Sequence, residues 1–237
     1  MIKLKQNWLP KTKVLVMQLV VSAASFITLP FYKAVPDGVR KFFYANYCEK
    51  PDGLIFDGAT LGYFSKIEHI IDLPNLGGRT IFDIGCGEGT LVQWLTSKNV
   101  SFKRYIGLDF AAIPESKIGN VEFLLDDAVN VGTHYEQTDN QITFMVNAAC
   151  YFENNIFENI LCSFRRGDEI VIIEPSPNIF WDAHFNGVKP VYRKIAEVER
   201  ILDSNGFSVL SDVQDYWVKT KRAFFIPLSY GIFARKL

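Results

Sequence analysis

The sequence predicts an α/β fold three layers thick, with a mostly parallel sheet and a helical extension ahead of it. Three observations predict it. The stretch Thr80-Ile-Phe-Asp-Ile-Gly-Cys-Gly-Glu-Gly-Thr-Leu91 is a short apolar run that ends in glycines at 85, 87 and 89. Directly behind it, Leu91, Trp94 and Leu95 follow at helical spacing. Farther along, apolar runs of strand length recur between helical patterns, as β–α units do in a parallel sheet.

The first strand, its turn and its helix form the corner at which an α/β unit binds a phosphate or nucleoside. Glycine suits such a turn because the backbone takes angles closed to other residues and the ligand approaches the main chain closely. The spacing departs from the dinucleotide fingerprint Gly-x-Gly-x-x-Gly, since Thr90 holds the sixth place. Asp83 stands at the expected mouth of the site, with no Lys or Arg between Arg79 and Lys98. A carboxylate there repels a pyrophosphate and welcomes a ligand carrying an ammonium group and a positive sulfur, as S-adenosylmethionine does.

Asp83-Ile-Gly85-Cys86-Gly87-Glu-Gly89 resembles the first motif of the class I S-adenosylmethionine-dependent methyltransferases. Tyr105-Ile-Gly-Leu-Asp109-Phe110 resembles the end of that family's second strand, and Val121-Glu-Phe-Leu-Leu-Asp-Asp127-Ala128 its third strand and Asp-Ala pair. The resemblance covers roughly residues 75 to 237. It implies a Rossmann-like methyltransferase fold, a seven-stranded sheet whose last strand is antiparallel, and S-adenosylmethionine as cofactor. It also implies roles. Asp83, Gly85, Cys86 and Gly87 would face the methionine part and Asp109 the ribose hydroxyls. Phe110, Asp127 and Ala128 would face the adenine, and Asn147, ending the fourth strand, joins the cofactor set. A conformational reading stays open for the glycines, and a helix-capping one for Asp109 and Asp127.

In chain order, residues 1 to 36 hold five lysines and no acid, against a net charge of −6 for the remainder. The uncharged, mostly apolar run from Val14 to Tyr32 is about long enough to span a bilayer. Gln18, Ser22 and Ser25 recur on one helical face, which favours packing on the catalytic domain or peripheral membrane contact through residues 1–35 over insertion. If a chain starting at Pro36 and the full chain both stay soluble and monodisperse without detergent, membrane contact is excluded. Val39, Phe42, Phe43 and Tyr47 give a second helical face, and Thr60 to Ile71 a third helix. Tyr44, Tyr47, Tyr63 and Phe64 either line a substrate pocket or serve as core. Pro74-Asn-Leu-Gly-Gly78 marks a boundary, so residues 1–72 form the extension and 73–237 the catalytic domain.

Beyond the third strand, residues 129 to 138 show little period and predict a short or irregular helix. Ile142 to Asn147 is the fourth strand, Glu153 to Phe164 a helix and Glu169 to Glu174 the fifth strand. The long aromatic segment from Pro175 to Pro190 follows a carboxyl strand end and reads as substrate-facing. Val191, Ile195, Val198 and Leu202 predict a helix stopped by Asn205-Gly206. Phe207 to Val213 and Ala223 to Arg235 are the sixth and seventh strands, the latter irregular at Pro227.

Methyl transfer from a sulfonium is an in-line displacement that alignment alone accelerates, so a base is needed only when the acceptor must lose a proton. His184 is the candidate base and Glu174 a candidate catalytic, substrate-contacting or capping residue. Tyr151 and Trp181 are candidate substrate-binding residues. Many relatives carry an acid at the start of this strand, where Ile142 stands, a departure that weakens the case for a catalytic acid or base from the fourth strand. The expected acceptor is a small molecule, or one linked to a lipid or glycan, with oxygen slightly favoured over nitrogen. Absence of a basic stripe argues against nucleic acid. Cys48, Cys86, Cys150 and Cys162 are scattered, which fits reduced thiols in the cytoplasm and no metal site. The rival readings are a non-catalytic methyltransferase-like binding subunit and, more weakly, a nicotinamide oxidoreductase.

Overall fold

The computed structural model describes residues 63–64, 66–110, 119–134, 140–175, 191–214 and 229–237. Seven strands form one sheet: β1 (Thr80–Ile84), β2 (Arg104–Asp109), β3 (Val121–Leu125), β4 (Gln141–Val146), β5 (Glu169–Pro175), β6 (Phe207–Gln214) and β7 (Ser229–Lys236). Their order across the sheet is β3-β2-β1-β4-β5-β7-β6. The pairs from β3 through to β5 are parallel, and β7 runs antiparallel to both β5 and β6. This is the expected Rossmann-like α/β sheet with its antiparallel last strand.

The helices of this part of the chain are α1 (Thr90–Ser97), α2 (Val131–His134), α3 (Asn154–Cys162) and α4 (Ile195–Ser204). Alternation along the strands sends successive side chains to opposite faces. Phe82, Ile84, Ile106 and Leu108 point into one layer, with Phe157, Ile160 and Leu161 of α3 and Val198, Ile201 and Leu202 of α4. Ile81, Tyr105, Ile142 and Phe144 point into the other, with Leu91, Val92 and Leu95 of α1. Helical residues 63–64 and 66–70 join that second layer, where Phe64 stacks on Trp94 at 5.3 Å. Tyr63 and Phe64 are thus core side chains. All of β5 is buried, as its near-unbroken apolar run requires of a strand covered on both faces.

Most boundaries among the described residues lie within one or two residues of expectation, and the start of α4 differs most. Helix α4 starts at Ile195, although Val191 fits the same apolar spacing. Lys194 is the N-cap of α4, and Val191 and Arg193 stay out of the helix because their groups are engaged elsewhere. Val191 N–H donates to the Cys150 carbonyl at 2.7 Å, and Arg193 reaches back to the turn after β4. Described β7 begins at Ser229, so the part of the expected strand holding Pro227 lies outside the described residues. Among the described residues, β6 carries an irregularity, a register shift between Val209 and Ser211. The irregular stretch after β3 is as expected, a 3-10 turn at Ala128–Asn130 running into the four residues of α2.

The amino-terminal edge of the sheet is tied by Glu169, which is nearly buried and accepts from Arg79 at 2.6 Å and from Arg235 at 2.5 Å. Arg79 also donates to the Gln141 carbonyl at 2.9 Å, so the start of β4, the start of β5 and the end of β7 are joined. Glu169→Ala would leave a poorly solvated guanidinium without its carboxylate. It is expected to cost about 3 kcal/mol in denaturant unfolding; a loss below about 1 kcal/mol would show that the pair is effectively solvated.

Candidate functional site

In the order β3-β2-β1-β4-β5 the chain reverses direction across the sheet beside β1, and ligands of open α/β sheets bind outside the carboxyl ends at such a point. Two segments flank it here. One is the glycine loop 85–89 between β1 and α1, and the other is the turn 147–151 after β4.

The loop needs its glycines for different reasons. Gly85 has φ +74, and a side chain there would put its Cβ 2.6 Å from that of Ala148. It therefore lets the loop close against the β4 turn. Gly87 has φ +51, and a Cβ there would meet nothing within 4 Å, so this part of the loop faces open space. Gly89 caps α1 in the left-handed region without a side-chain partner for the helix's first turn. Gly85 and Cys86 N–H donate to the Leu108 carbonyl, which holds the loop to β2.

Asp109 ends β2 and accepts from the Gly87 N–H at 2.9 Å. The acid expected at the ribose and the glycine expected at the methionine part are therefore in contact. Phe110 follows with 73% of its surface exposed, and Leu125, the last residue of β3, and Val129 beyond it are exposed as well. Apolar surface of this kind on a carboxyl edge suits an aromatic ring. Ala128 is buried in the core and does not belong to that rim. Asp127 caps the 3-10 turn, its Oδ1 accepting from Val129 N–H at 3.1 Å, so the capping alternative is realised.

Asp83 is not at the mouth of the site. It lies in β1 on the same face as Ile81, is 2% exposed, and accepts a hydrogen bond from the Tyr105 hydroxyl. Burial pushes its carboxyl up to about 7, against the lowering effect of Tyr105. A group half neutral near pH 7 and turned into the core is a poor electrostatic filter. The expected repulsion of a pyrophosphate by this carboxylate is therefore not supported by its position. Cys86 is buried, with its thiol pushed up by burial and then by Asp83 and Asp109.

On the other flank, Asn147 takes a left-handed φ of 54, which Asn tolerates better than most residues, and its side chain accepts from the Cys150 thiol. Tyr151 is half-buried in the 3-10 turn Ala149–Tyr151. Glu174, the last residue but one of β5, does not present a base to the crevice. It is 2% exposed, and its carboxylate accepts from the backbone N–H of Ala148, Ala149 and Cys150 at 2.8, 2.7 and 3.1 Å. Burial pushes it up to about 7 in spite of those bonds. Trp181 and His184 lie outside the described residues. Among the described residues no group of His, Cys, Asp and Glu is placed to hold a metal, and no helix is long and apolar enough to cross a membrane.

Sequence reading passed over Asp126, Tyr105 and Arg193. Asp126 accepts from Asp127 N–H, from Asn130 and, at 2.6 Å, from His134, which holds its carboxyl down to about 2. The spacing of Asp126, Asn130 and His134, four residues each, was a legible signal for one face of a helical turn. Tyr105 and Arg193 gave none, since their partners come from distant strands and turns.

Both buried carboxylates prefer to be neutral in the folded chain. Their folded values near 7 lie above the ordinary 3.8 of Asp and 4.5 of Glu. The folded state thus holds extra protons between about pH 4 and 7, and stability is full below that window and lost as pH rises through it. Asp126 has the opposite sign, but its share is lost only as pH falls toward 2. The melting temperature is expected to be several degrees higher at pH 5.5 than at pH 8. Asp83→Asn should flatten part of that difference; an unchanged slope would remove Asp83 from it.

No protein-family model matches the chain, and no curated protein does. Solved structures do. A structure of an S-adenosylmethionine-dependent methyltransferase from Mesorhizobium loti superposes with a TM-score of 0.53 at 17% identity, covering 73% of this chain and 97% of its own. The magnesium protoporphyrin IX methyltransferase of Synechocystis PCC 6803, solved with bound SAH, gives 0.54 at 13% identity, with 85% and 99% covered. A pyocyanin biosynthetic protein gives 0.54 at 20% identity over 97% of this chain and 68% of its own. With its glycine loop, its Asp109 and its strand order in the places described, the chain has the fold of the S-adenosylmethionine-dependent methyltransferases.

Proposed function

We propose that this chain is a methyltransferase that uses S-adenosylmethionine. The observation that carries the reading is the contact between Asp109 and the Gly87 N–H at the carboxyl edge of β1 and β2. It sets a carboxylate of the kind that can hold ribose hydroxyls beside a side-chain-free backbone, in a fold shared with proteins that use this cofactor. The cofactor supplies a methyl group on a positive sulfur, already activated for displacement. The protein's part is then to bind and align.

The residues of this crevice fit such a ligand. The open space at Gly87 admits a close approach to the main chain. Asp109 offers a carboxylate beside it, and Phe110, Leu125 and Val129 an apolar rim for the adenine. Asp127 keeps its proposed place at that rim while it caps the turn. Asp83 would act from beneath the loop instead of touching the ligand. Asn147 and Tyr151 would line the side toward the acceptor.

The acceptor in this reading is a small molecule, or one carried on a lipid or glycan, with oxygen favoured over nitrogen. The basic, apolar first 35 residues support the lipid-borne form, and the reaction is placed in the cytoplasm, where the cofactor is made. The experiment is calorimetric titration of the full chain with S-adenosylhomocysteine and, in parallel, NADH. Micromolar binding of the first alone is expected. Binding of NADH alone would overturn the reading, and binding of neither would favour a non-catalytic relative.

A further inference from the structure

The turn after β4 is held from two sides by buried charges that bond its backbone. From β5, Glu174 Oε1 accepts from Ala148 and Ala149 N–H and Oε2 from Cys150 N–H. From the segment before α4, Arg193 is 3% exposed and donates to the Ala149 carbonyl at 2.9 Å and the Phe152 carbonyl at 2.5 Å. Its Nε donates to the Asn154 side chain at 2.8 Å, where α3 begins. Val191 N–H closes the clamp on the Cys150 carbonyl at 2.7 Å. Such charge-assisted bonds are the strong ones, and they use N–H and C=O groups that no strand ladder satisfies.

The same turn supports the glycine loop. Ala148 is 3% exposed, and its methyl occupies the space that a side chain at Gly85 would need. A shift of the turn would therefore be felt at Gly85 and along the loop toward Gly87. We infer that Glu174 and Arg193 are positioning residues that hold the β4 turn, and through Ala148 the glycine loop, in the form that receives the cofactor. The binding part of this inference rests on the proposed function; the mechanical part does not.

The charge on Glu174 matters because protonation at Oε2 would give up the bond from Cys150. The groups around it are Tyr63, Cys150 on the turn, Arg193 before α4 and Tyr230 of β7. The further titratable groups are Tyr151, which acts on Tyr63, and Glu197, which acts on Arg193 and Tyr230. Burial pushes the Tyr63, Tyr230 and Cys150 protons well up in pH, so those groups stay neutral and Arg193 stays charged. Glu174 is the member of this cluster that titrates near neutrality.

Glu174→Gln keeps the shape but sets an amide donor against an N–H donor. S-adenosylhomocysteine is expected to bind this variant about tenfold more weakly than wild type at pH 8, the loss of one charge-assisted bond. The ratio should approach one at pH 5.5, where wild type is protonated as well. A ratio that does not change with pH would overturn the role of the charge. Amide hydrogen exchange tests the mechanical part without any ligand. In Glu174→Gln the amides of residues 148–150 and of 85–87 should exchange faster together, with those of β6 and β7 unchanged. Faster exchange at 148–150 alone would overturn the coupling. Should the variant loosen throughout, Ala148→Gly decides, since it removes the methyl and keeps the clamp. Faster exchange at 85–87 supports the coupling, and unchanged exchange refutes it. Failure of S-adenosylhomocysteine to bind wild type would overturn the proposed function while leaving the exchange result standing.

Discussion

Replacing Asp109 with Ala is expected to weaken S-adenosylhomocysteine binding at least a hundredfold. A carboxylate facing two ribose hydroxyls accepts two charge-assisted hydrogen bonds, each worth roughly 1.5 to 3 kcal/mol. A hundredfold change corresponds to about 2.7 kcal/mol, so losing both bonds suffices. Asp109 has a second duty, because its Oδ2 accepts from Gly87 N–H at 2.9 Å. Asp109→Asn separates the two, since the amide oxygen still accepts from Gly87 while the charge is gone. An intermediate loss, on the order of tenfold, is expected for it. Calorimetric titration of both variants reads the result. If Asp109→Ala binds as wild type does, the acid belongs to the loop alone and the ribose assignment is wrong. If Asp109→Asn is as weak as Asp109→Ala, loop support contributes little.

Gly85→Ala should be the most damaging single methyl in the site. At φ +74 any L side chain is strained by roughly 1 to 2 kcal/mol. The new Cβ would also stand 2.6 Å from that of Ala148, an overlap that forces the loop and the β4 turn apart. Overpacking of this kind costs about 1 to 3 kcal/mol, so about 3 kcal/mol in total is expected in denaturant unfolding. Adding Ala148→Gly to the variant should recover the overlap share and leave the backbone share, a non-additivity that a double-mutant cycle reads directly. If the second change recovers nothing, the contact is not the cause. Gly87→Ala is the comparison. Its Cβ meets nothing within 4 Å, so only the strain of φ +51 is expected in stability, about 1 kcal/mol. In ligand binding the order should reverse, because the methyl at Gly87 points into the space proposed for the cofactor.

The parts of the site that lay close together in the chain were legible. Strand, glycine turn and helix from Thr80 to Ser97 could be read because apolar period and glycine placement are local signals. Asp109 could be placed at a strand end for the same reason. Asp83 could be placed in its strand but not oriented, since parallel sheets bury both faces and alternation then does not say which side is wet. Its partner Tyr105 becomes a neighbour only when β1 and β2 pair in the register Asp83–Gly107.

The start of α4 shows the other kind of failure. Val191, Ile195, Val198 and Leu202 satisfy a helical period, yet the backbone of Val191 and the side chain of Arg193 are claimed by the turn after β4. A bond between residues some 40 positions apart leaves no trace in a local pattern. By itself the sequence determined the α/β class, the strands and helices, and the corner where a nucleoside would sit, because each depends on propensity and period within a few residues. Only the tertiary structure decided that Asp83 is buried, that Glu174 holds a turn instead of offering a base, and that Gly85 closes on Ala148. Those outcomes depend on which strands become neighbours and on how far each carboxylate is removed from water.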